Sequence, residues 1–102
     1  MKSLALLYYM LHVLIQSCLD HNPNTNKYRY EVLDAICKVD DEVTLEGKLP
    51  RLLSAERLHE HLGHYKIQLA TCRKREICPI AMELKEYIDL LIASEGNITR
   101  GN

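Results

Sequence analysis

Apolar positions recur every three or four residues along three stretches of this chain, with polar residues between them. After Tyr28, the residues Val32, Ile36, Val39 and Val43 share one helical face, widened by Leu33, while Glu31, Asp34, Lys38 and Asp41 lie off it. This spacing predicts helix A over 27–45, entered from the loop His21-Asn22-Pro23-Asn24-Thr25-Asn26 with Asn26 as its cap. Leu58, Leu62, Tyr65, Leu69 and Cys72, spaced by four, three, four and three, form the clearest seam and predict helix B over 51–74. Gly63 sits inside that seam at a cost of about 1 kcal/mol relative to Ala, which predicts a close helix contact or a bend there. Ile80, Leu84, Tyr87, Ile88 and Leu91 predict helix C over 79–95, with Pro79 in its first turn, Gly96 as its stop and 96–102 as a mobile tail. Gly47 and Pro50 keep the link between helices A and B short. No stretch alternates long enough for a strand, so the pattern predicts an all-α protein, a small helical bundle of three to four helices.

The N-terminus follows a different pattern. Lys2, an apolar run from Leu4 to Ile15 and small Ser17 have the order of an export signal, and the run is shorter than the ~20 residues of a membrane span. Cleavage after Ser17 makes 1–17 a signal peptide and 18–102 a secreted domain of 85 residues with no membrane insertion, near the size at which a core alone is marginal. His12 and the Tyr8-Tyr9 pair are unusual in a leader and point to the alternative, a first helix that stays in the protein. An even set of cysteines, Cys18, Cys37, Cys72 and Cys78, reads in an exported chain as two disulfides with three possible connectivities. Cys37 adjoins Ile36 on helix A and is expected to reach the Cys72/Cys78 region. Each bridge contributes about 2–4 kcal/mol, so the bundle is expected to be disulfide-stapled. The other reading is reduced, buried thiols in a cytosolic or viral four-helix domain. Asn97-Ile98-Thr99 is a glycosylation sequon, consistent with export.

Charge and chemistry narrow the function classes. With 13 Lys and Arg against 14 Asp and Glu, the net charge of −1 gives no reason to expect nucleic acid or an anionic membrane as the main partner. His59-Glu60-His61-Leu62-Gly63-His64 approaches a zinc-protease motif, but only His61 and His64 share a face, so no metal is expected. Cys72 and Cys78, with five residues between them, miss zinc-knuckle and redox-pair spacing. Arg73-Lys74-Arg75 suits a helix C-terminus. Without a phosphate loop, nucleophile elbow or partnered carboxylates, neither an enzyme nor a cofactor is expected. Ile15-Gln16-Ser17-Cys18 also resembles a bacterial lipoprotein box, in which Cys18 carries the lipid.

Tyr28-Arg29-Tyr30-Glu31-Val32-Leu33-Asp34-Ala35-Ile36 is similar to the first helix of the short-chain helical cytokines, the group of granulocyte-macrophage colony-stimulating factor and its interleukin relatives. His64-Tyr65-Lys66, Cys72, Cys78-Pro79 and the run Leu84 to Ile92 resemble the segment leading into that family's last helix. The resemblance implies a secreted signalling protein that binds a cell-surface protein receptor, with Glu31 at the receptor-facing acidic position. It also implies four helices in up-up-down-down order with two long crossovers, whereas three helices follow the leader here. A secreted helical effector of venom, seminal or pathogen origin and a lipid-anchored bacterial surface protein are the other expected classes.

Overall fold

A computed structural model describes the backbone of residues 2–46 and 55–101 and the side chains of 2–43 and 57–93. Four helices follow one another: α1 Lys2–Leu19, α2 Thr25–Glu46, α3 Ala55–Thr71 and α4 Ile77–Gly101, with a 3-10 turn Lys74–Glu76 before α4. The described residues contain no strand.

The first helix of the bundle, Lys2–Leu19, takes in residues 2–17 of the expected leader. Leu4, Leu7, Leu11 and Leu14 are spaced by three, four and three, and all four are fully buried. They meet Val32, Ile36 and Val39 of α2 and Leu84 and Ile88 of α4 in one core, which Leu58, Leu62 and Leu69 of α3 complete. By length and composition α1 is also apolar enough to cross a membrane, and a third of that span is buried inside the bundle.

The contacts between helices set their directions. Ser3 N–H donates to Glu42 Oε2 at 3.0 Å, while Ser17 Oγ lies 3.3 Å from Thr25 Oγ1, so α1 and α2 run antiparallel. Asp40 meets His59 and Arg29 meets the Cys72 carbonyl, which pairs α2 with α3. Tyr65 with Glu83 pairs α3 with α4, and His12 with Lys85 closes the ring between α1 and α4. Every neighbouring pair is antiparallel, an up-down-up-down order that differs from the up-up-down-down order implied by the cytokine resemblance.

Local chemistry explains the helix ends. α1 closes with the His21 N–H donating to the Cys18 carbonyl and the Asn22 N–H to the Ser17 carbonyl, with His21 at φ 53° in the left-handed position that favours glycine. The Thr25 hydroxyl then donates to the Asn22 carbonyl at 2.7 Å, and α2 starts at Thr25 rather than 27. Arg73 is extended, so α3 ends at Thr71 instead of 74, and the Glu76 carboxylate accepts the Arg73 N–H at 3.0 Å. The part of helix B expected over 51–54 lies outside the described residues.

Three further expectations need correction. α4 begins at Ile77, which brings Ile77 and Ala81 into the core, and it runs through Gly96 to Gly101 where a tail was expected. An interior glycine weakens a helix by about 1 kcal/mol without ending it, and no proline follows to stop this one. Asn97 therefore lies in the backbone of α4, outside the described side chains. At Gly63, an added Cβ meets nothing within 4 Å, so of the two expectations there, a close helix contact or a bend, the contact is absent.

Candidate functional site

On α2, Lys27, Glu31, Asp34 and Lys38 follow helical spacing along one face, with Tyr30 and Ala35 beside them. Across from them, Leu6 and Met10, four residues apart on α1, flank its leucine seam, Leu6 exposed and Met10 partly buried against the core. Together they line a groove of about 610 Å³. Leu6 is 40% exposed and Tyr30 is 64% exposed, so both reach solvent, as Tyr9, Ile67 and Leu90 do elsewhere on the bundle.

The groove's charges are not equivalent. Lys38 Nζ lies 3.3 Å from Asp34 Oδ2 in an exposed i,i+4 pair, which contributes at most about 0.5 kcal/mol but partly neutralises Asp34. Glu31 is half-buried and has no ion pair among the described residues. The arrangement is thus an apolar floor with one uncommitted carboxylate beside it. Such a surface accepts an apolar side chain next to a cation.

The other titratable clusters lie elsewhere. His59 Nδ1 is 3.3 Å from Asp40 Oδ1, His61 stacks on Tyr87 with ring centroids 5.0 Å apart, and His64 faces Gln68 at 3.1 Å. The three histidines therefore have separate partners, and the described residues contain no group of three or more His, Cys, Asp or Glu placed to hold a metal. Tyr65 donates its hydroxyl to Glu83 at 3.2 Å; burial first, and then the Glu83 charge, pushes its pKa up. The buried Tyr87 hydroxyl has no hydrogen-bond partner among the described residues, and burial followed by the neighbouring Tyr65 raises its pKa as well.

Arg29, one turn into α2, is 8% exposed and donates from Nη1 to the Cys72 carbonyl at 3.2 Å, satisfying an acceptor at the end of α3. Its Nε has no hydrogen-bond partner among the described residues. Sequence spacing did not single out this residue.

Neither of the two expected bridges is formed, and Cys18, Cys37, Cys72 and Cys78 are all free thiols. Arg29 opposite Cys72 and Asp40 opposite His59 fix the register of α2 against α3. Cys37 is eight residues beyond Arg29, about 12 Å along the helix, whereas a disulfide needs Cα atoms within about 7 Å. The Cys37 link to the Cys72/Cys78 region does not fit this register. Cys18 and Cys78 instead share a cleft with His21, Asn22, Thr25, Lys74 and Arg75 at the end of the bundle where α1 stops and α4 starts.

Of the groove residues, only Glu31 was singled out as a site by sequence reasoning. Leu6 and Met10 were assigned to a leader, although one signal was present: α1 carries Leu6, Tyr9 and Met10 outside the Leu4-Leu7-Leu11-Leu14 stripe, more apolar surface than one core face needs. No protein-family model matches the chain, and comparisons with curated proteins and with solved structures find no match.

Proposed function

We propose that this chain is a small binding protein that docks onto a partner protein through the α1–α2 groove, with its first helix in place. The partner inserts an apolar side chain over Leu6, Met10 and Ala35 and sets an Arg or Lys against Glu31. The observation that carries this reading is the half-buried, unpaired Glu31 carboxylate beside exposed Leu6 and Tyr30. In the free protein that carboxylate keeps part of its hydration; in the complex its charge-assisted contact is commonly worth about 2 kcal/mol or more on truncation. This is the receptor-binding role expected for Glu31, on a face now specified by two helices.

Retention of α1 belongs to the proposal. Cleavage after Ser17 removes Leu4, Leu7, Leu11, Leu14 and Ile15 from the core and Leu6 and Met10 from the groove, so the export reading and this site exclude one another. The mass of the mature N-terminus in cells making the full chain separates them.

The docking test is site-specific photo-crosslinking in those cells, with the reactive group at Tyr30 or, as a control face, at Ile67, which is 66% exposed on α3. A discrete adduct from position 30 that Glu31→Lys abolishes, with helicity by circular dichroism unchanged, supports the groove. Equal labelling from both positions, or no effect of Glu31→Lys, removes it.

A further inference from the structure

At the end of the bundle opposite the Ser3–Glu42 contact, two cysteines that lie sixty residues apart in sequence face one another. The antiparallel register of α1 and α4, fixed by Lys85 over the Tyr8 ring at 5.1 Å and Lys85 Nζ at 3.4 Å from His12 Nδ1, places Cys18 in the last turn of α1 opposite Cys78 in the first turn of α4. Both thiols are half-buried, and Cys78 is near enough to Cys18 to raise its pKa. They line a cleft of about 480 Å³ whose mouth carries Lys74, Arg75 and His21. Nothing in the docking groove uses them.

We infer that Cys18 and Cys78 form a reversible disulfide site that reacts with an anionic low-molecular-weight disulfide of the glutathione type. Register provides the pairing, and the cationic mouth provides the preference for an anionic reagent, because opposite charge raises the local concentration and encounter rate of the reagent at the cleft. Burial, and then the adjacent Cys78, hold the Cys18 thiol above its usual value, so the first attack falls to Cys78. The Cys78 thiol loses its proton, and its sulfur attacks one sulfur of the reagent; the reagent's S–S bond breaks and one glutathione leaves. Cys18 then gives up its proton and attacks the Cys78 sulfur of the mixed disulfide, which forms the Cys18–Cys78 bond and releases the second glutathione. Two cysteine thiols are oxidised, one glutathione disulfide is reduced, and both protons pass to the leaving thiolates. Closing the bridge sets an S–S bond of about 2.05 Å and ties the last turn of α1 to the first turn of α4. This site is independent of the docking reading and stands or falls without it.

The test treats the full chain with glutathione disulfide and maps its peptides without reduction, beside a Cys37→Ser/Cys72→Ser form that keeps only the pair in question. A Cys18–Cys78 bridge in both is expected, with the melting temperature raised by roughly 10 °C or more over the reduced chain, as closing a loop of this length predicts. Bridge formation with neutral hydroxyethyl disulfide is expected to be several-fold slower, with the difference shrinking as salt is added. Glutathione adducts without a bridge, a Cys72–Cys78 bridge in the wild-type chain, or unreacted thiols overturn the pairing. Equal rates with charged and neutral reagents overturn the role of the cationic mouth.

Discussion

α1 and α3 stand at opposite corners of the same ring of helices, and their sequences suggest the reverse of their structural roles. α3 carries the cleanest heptad-like seam in the chain, yet buries only Leu58, Leu62 and Leu69 among its described apolar residues. Tyr65 is half-buried beside the His61–Tyr87 stack, so part of the α3–α4 contact is aromatic and polar. α1 has the composition of a leader, yet it buries four leucines completely and packs more extensively on its neighbours than α3 does. Periodicity reports that a helix has an inner face; it does not report how much of the core that face supplies. Centrality depends on how many neighbours a helix has and how closely they approach, and no single helix's sequence records that.

The largest test of this contrast is removal of residues 2–17. The shortened chain loses one wall of the core and is expected to lose its cooperative thermal transition by circular dichroism, because the faces of α2 and α4 that α1 covers are then left to water. A sharp melt near the full-length temperature contradicts the role given to α1.

Single truncations grade the same comparison. Leu11→Ala on α1 is expected to cost about 3–5 kcal/mol and Leu69→Ala on α3 about 2–3 kcal/mol in urea unfolding, since the site with more neighbours collapses less around the lost atoms. The reverse order makes α3 the central helix.

Much of the fold was legible in the sequence, because a helical face is a local pattern. Val32, Ile36, Val39 and Val43 were read as one face and all are buried; Leu58, Leu62, Leu69, Leu84, Ile88 and Leu91 likewise. Ile77 falls outside the helix read from Pro79 onward, whereas proline is tolerated throughout a first turn; Ala81 lies within that helix, but its small side chain adds little to an apolar pattern. What stayed hidden rests on pairs far apart in the chain. Arg29 at the end of α3, Glu42 at the start of α1 and Cys18 against Cys78 each require the register of two helices before their roles exist. The groove was half legible: Glu31 stood out as an acidic residue beside a seam, but its other wall lay in a segment with the pattern of a leader.

Two smaller changes, one on α3 and one on the facing side of α4, sharpen the view of the α3–α4 side as the less optimised. Gly63→Ala adds a methyl group into open space and is expected to stabilise the protein by about 1 kcal/mol in the same unfolding assay. Destabilisation there reveals a backbone requirement at this position.

Tyr87→Phe removes a buried hydroxyl that has no hydrogen-bond partner among the described residues, so the expected change at neutral pH lies between no effect and a gain of about 1 kcal/mol. The sign of its pH dependence follows from the raised pKa. An unfolded tyrosine ionises near 10, while folded Tyr65 and Tyr87 hold their protons to higher pH. Their contribution is fully present below pH 10 and is lost as pH rises through the folded values. The alkaline decline in melting temperature is expected to be shallower in Tyr87→Phe than in the wild type; parallel curves exclude Tyr87 as its source.

Native-state amide hydrogen exchange on the intact, reduced chain tests the central claim most directly, because it reads the stability of α1 without altering the protein. If α1 is a core helix, the amides of Leu7, Leu11 and Leu14 exchange only through global unfolding, at least as slowly as those of Leu62 and Leu69 on α3. Exchange of the α1 amides at the rate of a fraying segment while α3 and α4 stay protected contradicts the account.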